Sequence, residues 1–465
     1  MAGPGAGSEA GPGGAGPEVA RQRGGLGLGV GRDEAGTRGG ERAASEGDGA
    51  AAGTRPTVGE AVGTRRGPAG AAERGGGWGG ALWRRPGVWA GGLWLGVVGL
   101  AGVFAPFLAS SHPWRVRLAD GSVRWPLLEH LSPVDVALPI VVGLALLTWL
   151  MQRFFKRRAR RRPAAGGVKV WPLWLGWAGV SLAVGLACTW LVQPPALTVY
   201  ERYRTGLASG EIASASYTLV PYSPSDRFRD MPERALELPL PPDGRHWMGT
   251  TRNGADLLSR MIHASRVALA VGFISTGIAL LIGVTLGGLM GYFVGVADLI
   301  GMRIVEVFSA IPVMFLLLTF VAFFGRNLYL MMVIIGVTGW VGYARFVRAE
   351  FFKLRAMDFV AAARACGLPL WSILFRHMLP NAIAPVLVAA SFGVPSAILY
   401  EATLSFIGLG LVDEPSWGQM LSQATGTGGG FYWWIAAFPG SAIFLTVFGF
   451  NLLGEALRDV VDVKT

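Results

Sequence analysis

Few residues in this chain could carry covalent or metal chemistry, and their spacing suits neither. The five histidines are scattered, and Cys188 and Cys366 fall in an apolar run and a polar loop. A zinc site needs ligands at short fixed spacings, and no CxxC or HExxH spacing occurs. The two cysteines are expected at different levels, so no disulfide is expected between them. A chain that hydrolyses ATP would carry the G-x-x-x-x-G-K-[ST] loop whose backbone amides cradle phosphates. That loop is absent, and the glycine-rich run Ala424–Gly430 has no lysine and reads as a flexible loop. The ionisable groups that stand out are Glu306 and Glu401, each inside an apolar run. An intramembrane carboxylate is costly and by default faces a bundle interior or a pathway. For Glu401, a bond to a neighbouring helix or loop for structure alone is an equal alternative.

Two further segments have positional meaning. Asp256 to Val267 reads as an amphipathic helix lying flat at a membrane interface, with Leu257, Leu258, Met261 and Ile262 on its apolar face. Asp256 and Arg260 stand four apart on its polar face, close enough to pair. His246 and His263 nearby read as structural. The loop 344–384 contains the alanine-rich helix former Val360–Cys366. Gly367 then suits the left-handed position that closes a helix, and Pro369 suits the first turn of the next. Leu370, Ile373, Leu374 and Met378 share one face of that second helix, and Pro380 and Pro385 are expected to end it. Two short helices on a tight turn make a stiff knob; an ordinary interhelical loop is the plainer reading.

The elements that hold these segments are membrane helices. Of 465 residues 52% are hydrophobic and 15% charged, against about 25% charged in a soluble protein, and mean hydropathy is +0.44. Apolar runs long enough to cross about 30 Å of hydrocarbon recur from Gly87 onward. They are continuous and do not alternate, which excludes a barrel and leaves an all-α polytopic bundle. About eight spans are expected: Gly87–Ser110, Val134–Gln152, Val170–Val192, Ala268–Val294, Ile304–Phe324, Leu328–Tyr343, Pro385–Leu409 and one ending near Leu453. The segment from Gln193 to Asp256 reads as an extracytoplasmic loop or small cap without its own core.

The formal net charge is +11, and its placement argues against nucleic acid. Residues 1–77 hold nine acidic and nine basic residues, with too little apolar surface to fold, and are expected to be disordered. The excess lies beside the apolar runs: Arg153 to Arg162, Arg303, Arg345, Arg348, Lys353, Arg355, Arg364, Arg376 and Arg458. Basic residues mark the cytoplasmic side, which puts both termini and the 344–384 loop inside.

The loop resembles the EAA loop of binding-protein-dependent ABC importer permeases, which reads Glu-Ala-Ala, three residues, Gly, nine residues, Ile, one residue, Leu-Pro. Ala362, Ala363, Gly367, Leu379 and Pro380 match, with Leu368 beside the turn; Ala361 stands in place of Glu and His377 in place of Ile. The segment His246 to Arg260 is similar to the His-x-x-Gly-Thr-Asp-x-x-Gly-Arg-Asp-x-x-Ser-Arg stretch of dipeptide and oligopeptide permeases of the second, C-type subunit class. His246, Gly249, Thr250, Gly254, Asp256, Ser259 and Arg260 fit it, while Thr251 and Ala255 depart. Further phrases resemble the same family, among them Pro415-Ser-Trp-Gly418.

The resemblance covers about Arg245–Asp462. It implies a six-span-type permease core, here with two extra N-terminal spans, and a knob that docks into a separate ATPase. The chain is divided accordingly into a low-complexity head (1–77), two added spans (78–169), a span with outer loop and interfacial helix (170–262) and the permease core (263–465). Implied partners are a second permease subunit forming a heterodimer, two ATPase subunits that hold the ATP, an extracytoplasmic solute-binding protein and membrane lipid, with no cofactor bound by this chain. Peptides lead as solutes. A permease for another small solute such as nickel, an ion-gradient transporter acting alone and a non-transporting membrane scaffold remain alternatives.

Overall fold

The structure is a computed structural model that describes residues 85–160, 171–195, 198–227, 238–410, 414–425 and 430–462. The low-complexity head, with the expectation of disorder, lies outside the described residues, as do Arg161, Arg162 and positions 426–429 of the glycine-rich run.

Among the described residues seven helices are long and apolar enough to cross a membrane, and a bent pair would make an eighth crossing. In chain order these are α1 (Pro86–Val103), α2 (Pro133–Arg160) and α3 (Trp171–Leu191), then, beyond the short α4 (Arg202–Ser209), α5 (Leu257–Phe293). There follow α6 (Val296–Ala310), α7 (Val313–Phe324), α8 (Leu328–Leu354), the short α9 (Asp358–Ala365), α10 (Leu379–Phe406), the short α11 (Trp417–Ser422) and α12 (Trp433–Asp462). At 37 residues α5 is about 55 Å long, well beyond the about 30 Å of hydrocarbon. One end of the bundle carries the knob, the other a cap built from segments between α1 and α5. Among the described residues assigned to one side by sequence, Arg348, Lys353 and Arg458 lie toward the ends of α8 and α12, and Arg364 and Arg376 lie in the knob itself.

Three local expectations are corrected. The fifth span is not one helix over Ile304–Phe324: α6 and α7 meet at a bend of 76°. Pro312 forces Ile311 into extended backbone (φ −87°, ψ 120°), so no helix runs through it. Pro380 and Pro385 do not end the second knob helix. A π-helical turn, Ser372–Met378, runs straight into α10. Its wider winding accommodates the missing Pro380 N–H, and the Asn381 side-chain amide donates to the His377 carbonyl at 2.7 Å. Asp256 to Val267 is not a separate interfacial helix either. From Leu257 it is the first turns of α5, with Leu257 and Ala264 fully buried.

The bundle is organised on α5 crossing α8. A Cβ placed on Gly283, Gly287 or Gly291 would lie 2.5–2.6 Å from Tyr343 Cβ, the Ala344 carbonyl or the Arg348 carbonyl. On the opposing helix, a Cβ on Gly336 would lie 2.8 Å from the Ser275 carbonyl. Backbones touch over several turns, the packing that small residues four apart permit in lipid.

Packing also separates the first three spans. α1 belongs to the bundle: Gly91 meets Gly449 of α12 at the backbone, Trp94 Nε1 donates to Thr446 Oγ1 (3.1 Å), and Arg85 pairs with Asp459. α2 and α3 instead pack on each other, with Trp177 Nε1 donating to the Val141 carbonyl (3.2 Å). α2 buries none of its described side chains and α3 only Cys188. Thus α2–α3 form a peripheral hairpin while α1 packs within the bundle.

Nor is the chain wholly helical. Outside the spans β1 (Arg115–Leu118) pairs antiparallel with β2 (Val123–Arg124) and with β3 (Ile212–Ser216), in the order β2-β1-β3. β1 and β3 lie on opposite sides of the α2–α3 hairpin in sequence, so the hairpin is inserted into a folded cap. Helical and apolar periodicity carries no trace of so distant a pairing. The cap is held by Ser111 Oγ donating to Asp226 (2.6 Å) and Arg204 pairing with Asp226 (2.6 Å). His112 is buried and stacks on His130 at 3.9 Å between ring centroids. Burial first, then the neighbouring His130, lower its pKa from 6.5 to about 4, against the raising effect of Asp226.

Gly287→Ala is expected to destabilise the bundle by about 1–3 kcal/mol through overpacking, lowering the melting temperature in detergent. Gly277→Ala, which meets nothing within 4 Å, should leave it unchanged. In the cap, unfolded His112 protonates near pH 6.5 and folded His112 only near 4. Its contribution is therefore complete above pH 6.5 and is lost as pH falls toward 4. Protection factors for amide exchange across 108–112 and 218–223, normalised to the intrinsic rate at each pH, should fall over that window, and His112→Gln should flatten the fall.

Candidate functional site

The knob begins where α8 leaves the bundle. Asp358 in the first turn of α9 suits the positive end of the helix dipole. The helix closes at Gly367, φ +68°. The Leu368 amide donates to the Ala363 carbonyl (3.2 Å) and the Gly367 amide to the Arg364 carbonyl (2.9 Å), the two bonds of a Schellman turn. Only glycine takes that conformation without strain. Pro369 then starts the π-helical turn, whose far end is α10.

The knob's inner face is welded to the spans. Val360, Ala363, Ile373, Leu374 and Met378 are buried with Val347 and Phe351 of α8 and Ala382 and Val386 of α10. Leu280, Val284, Leu289 and Tyr292 of α5 pack on the same cluster. Arg364 lies over the Tyr292 ring at 4.9 Å, and Arg355 Nη1 donates to the Tyr292 carbonyl (3.1 Å). Arg348 of α8 pairs with Asp298 of α6. Three span helices therefore share one apolar cluster with the knob, and a displacement of the knob has no loose joint to dissipate in.

Of the sequence-selected knob residues, Ala363 is buried, Leu368 and Leu379 are half-buried, and Ala362, Gly367 and Pro380 are exposed. The sequence reading missed the outer face. Met357, Phe359, Trp371 and Phe375 are 37–56% exposed, with Trp371 and Phe375 stacked at 5.3 Å. They sit in a segment too charged for the bilayer, an exposed apolar patch of the kind that marks a protein contact. Their signal was position: large apolar residues outside the Ile373, Leu374, Met378 stripe.

At the cap end, Asp256 and Arg260 do not pair with each other as the spacing suggested. Asp256 caps α5, accepting from the Ser259 amide (2.8 Å), and its other oxygen bonds buried His246 Nδ1 (2.9 Å). Arg260 donates to the Pro224 carbonyl (2.9 Å) and Gln419 Oε1 (2.8 Å). N-capping outcompetes an i,i+4 ion pair because it satisfies an otherwise orphaned amide. Gly249 and Gly254 take φ +78° and +84° in the turn leading there.

The two carboxylates in apolar runs part company. Glu306 is about half exposed and pairs with Arg303 at 2.6 Å. Glu401 is 2% exposed, and its Oε1 accepts from Ser405 Oγ and Ser416 Oγ, both at 2.6 Å. Trp417 Nε1 donates to the Met261 carbonyl (3.2 Å), and Gly418 presses on the Ala402 backbone. The Pro415–Gly418 phrase is thus a latch joining α10, α5 and the α10–α11 loop. Among the described residues no cluster of three potential metal ligands occurs.

Residues 283–465 match the family model described as binding-protein-dependent transport system inner membrane component. The oligopeptide transport system permease protein OppC of Haemophilus influenzae is 40% identical over 224 residues, 48% of this chain and 71% of the relative. The dipeptide transport system permease protein DppC of Bacillus subtilis is 37% identical over 226 residues, again 48% and 71%. A solved structure titled for inward facing conformations of the MetNI methionine ABC transporter overlaps 43% of this chain and 96% of its own, at 21% identity and TM-score 0.37.

Asp256→Ala should cost about 1 kcal/mol for the cap and about 1–3 more for the lost buried bond to His246 Nδ1. Asp256→Asn, which can still cap, should fall between it and the parent in detergent melting experiments.

Proposed function

The chain belongs to the family of binding-protein-dependent transport system inner membrane components, and from that premise we propose that it is a permease subunit of an ATP-driven importer of peptides, with the knob as its coupling element. It supplies half of a translocation path and pairs with a second, similar permease subunit. Two ATPase subunits sit beneath them, and a solute-binding protein delivers to the cap end. ATP is bound and hydrolysed by the partners, and the knob end faces the cytoplasm.

One observation carries this reading. The α9–Gly367–π-turn unit presents Met357, Phe359, Trp371 and Phe375 outward while its inner face shares a core with α5, α8 and α10. An ATPase gripping the outer face would move those helices together. Ala362, Ala363, Gly367, Leu368, Leu379 and Pro380 form the docking unit, Gly367 by allowing its turn. Glu401 acts as an internal brace, since both its partners lie in α10 and the adjoining loop, whereas Glu306 stays open to a neighbouring subunit or the path.

A β-branched residue at Gly367 strains the left-handed turn by about 1–3 kcal/mol. Gly367→Val should leave membrane insertion and partner ATPase activity intact while uptake collapses. Equal uptake by variant and parent in proteoliposomes would count against coupling through the knob.

A further inference from the structure

A cavity of about 510 Å³ opens at the cap end of α5, bounded by the 198–201 and 225–227 segments, the start of α5 and α11. Its size falls in the roughly 300–1,000 Å³ range of small-molecule sites. Its lining is rich in charge and amide groups: Glu201, Asp226, Arg227, Arg260, Gln419 and Gln423. Asp226 is already engaged by Arg204 and Ser111.

Two buried polar atoms of this lining have no hydrogen-bond partner: Arg260 Nε, a donor, and Gln423 Oε1, an acceptor. Buried polar atoms are almost always satisfied, so an orphaned pair in one cavity calls for an occupant. The pair asks for one group that both accepts and donates, and a peptide unit does both, through its C=O and its N–H. Arg227 and Glu201 also line the cavity and add one charge of each sign.

We propose that this cavity binds the extended backbone of a short peptide, a peptide group between Arg260 Nε and Gln423 Oε1, the carboxylate end toward Arg227 and the ammonium end toward Glu201. This rests on reading the chain as a peptide importer subunit with the cap outside. It places a solute-recognition site on the permease itself, before the membrane is crossed. Opposite charges at the two ends select for free termini, and backbone contacts leave side chains unread, so the site discriminates by length and end groups.

The purified full chain in nanodiscs, titrated with trialanine, tests it by calorimetry. Saturable binding is expected, weakened about tenfold when either terminus is blocked, the size of one lost charge-assisted hydrogen bond. Glu201→Gln should weaken free trialanine but leave N-acetyl-trialanine unchanged. Arg227→Gln should do the same for the C-terminal amide. Both side chains are at least partly exposed, and matching melting temperatures would confirm folding. No saturable binding, or binding indifferent to both end groups, would make this a water-filled cavity and overturn the proposal. ATP-driven uptake by the assembled importer with no binding to this chain would sink the site alone; failure of uptake with binding retained would sink the transport reading alone.

Discussion

The structure depends on backbone-to-backbone contact between α5 and α8. Lipid offers no hydrophobic drive to bring helices together, so close packing and buried polar bonds must do it. Gly283, Gly287 and Gly291 let the α5 backbone reach Tyr343, Ala344 and Arg348 directly. Because α5 is far longer than the bilayer is thick, this contact lashes a rod whose ends lie in two different worlds. One end, at Leu289 and Tyr292, enters the knob's core; the other, at Asp256 and Arg260, anchors the cap. Any motion that tilts the rod is felt at both.

That arrangement gives the two ends distinct characters. The knob has an apolar core and exposes the stacked Trp371 and Phe375 pair among charged residues such as Arg364 and Arg376. The cap is polar, held by His246–Asp256, Arg204–Asp226 and the Glu401–Ser416 latch. His246–Asp256 fixes a cap loop to the head of α5 and Glu401–Ser416 fixes the following loop to α10, while Arg204–Asp226 ties α4 to a loop within the cap. A rigidly packed knob at one end and a polar cap at the other suit the proposed importer subunit.

Much of this could be read in the residues. The spans followed from hydropathy, and the left-handed turn at Gly367 from an alanine-rich run ending in Gly-Leu-Pro. What could not be read were features set by competition or by distance. The Asp256–Arg260 spacing permits an ion pair, yet the orphaned Ser259 amide claimed Asp256. Pro312 and Pro380 look alike in sequence, but one breaks a span at 76° while the other is absorbed by a π turn. The pairing of β1 with β3 across an inserted helical hairpin leaves no local signal. The outward aromatic patch on the knob was visible as residues, but only the buried stripe beside it showed which way they face.

The most direct measurement uses the chain's own thiol. Cys366, exposed at the knob turn, can be followed with a membrane-impermeant maleimide once the buried Cys188 is replaced by alanine. In inside-out vesicles stripped of ATPase subunits, Cys366 should react readily, and restoring those subunits should protect it. Labelling of Cys366 from outside intact cells, or labelling indifferent to the ATPase subunits, would contradict the knob as the point where the motor takes hold.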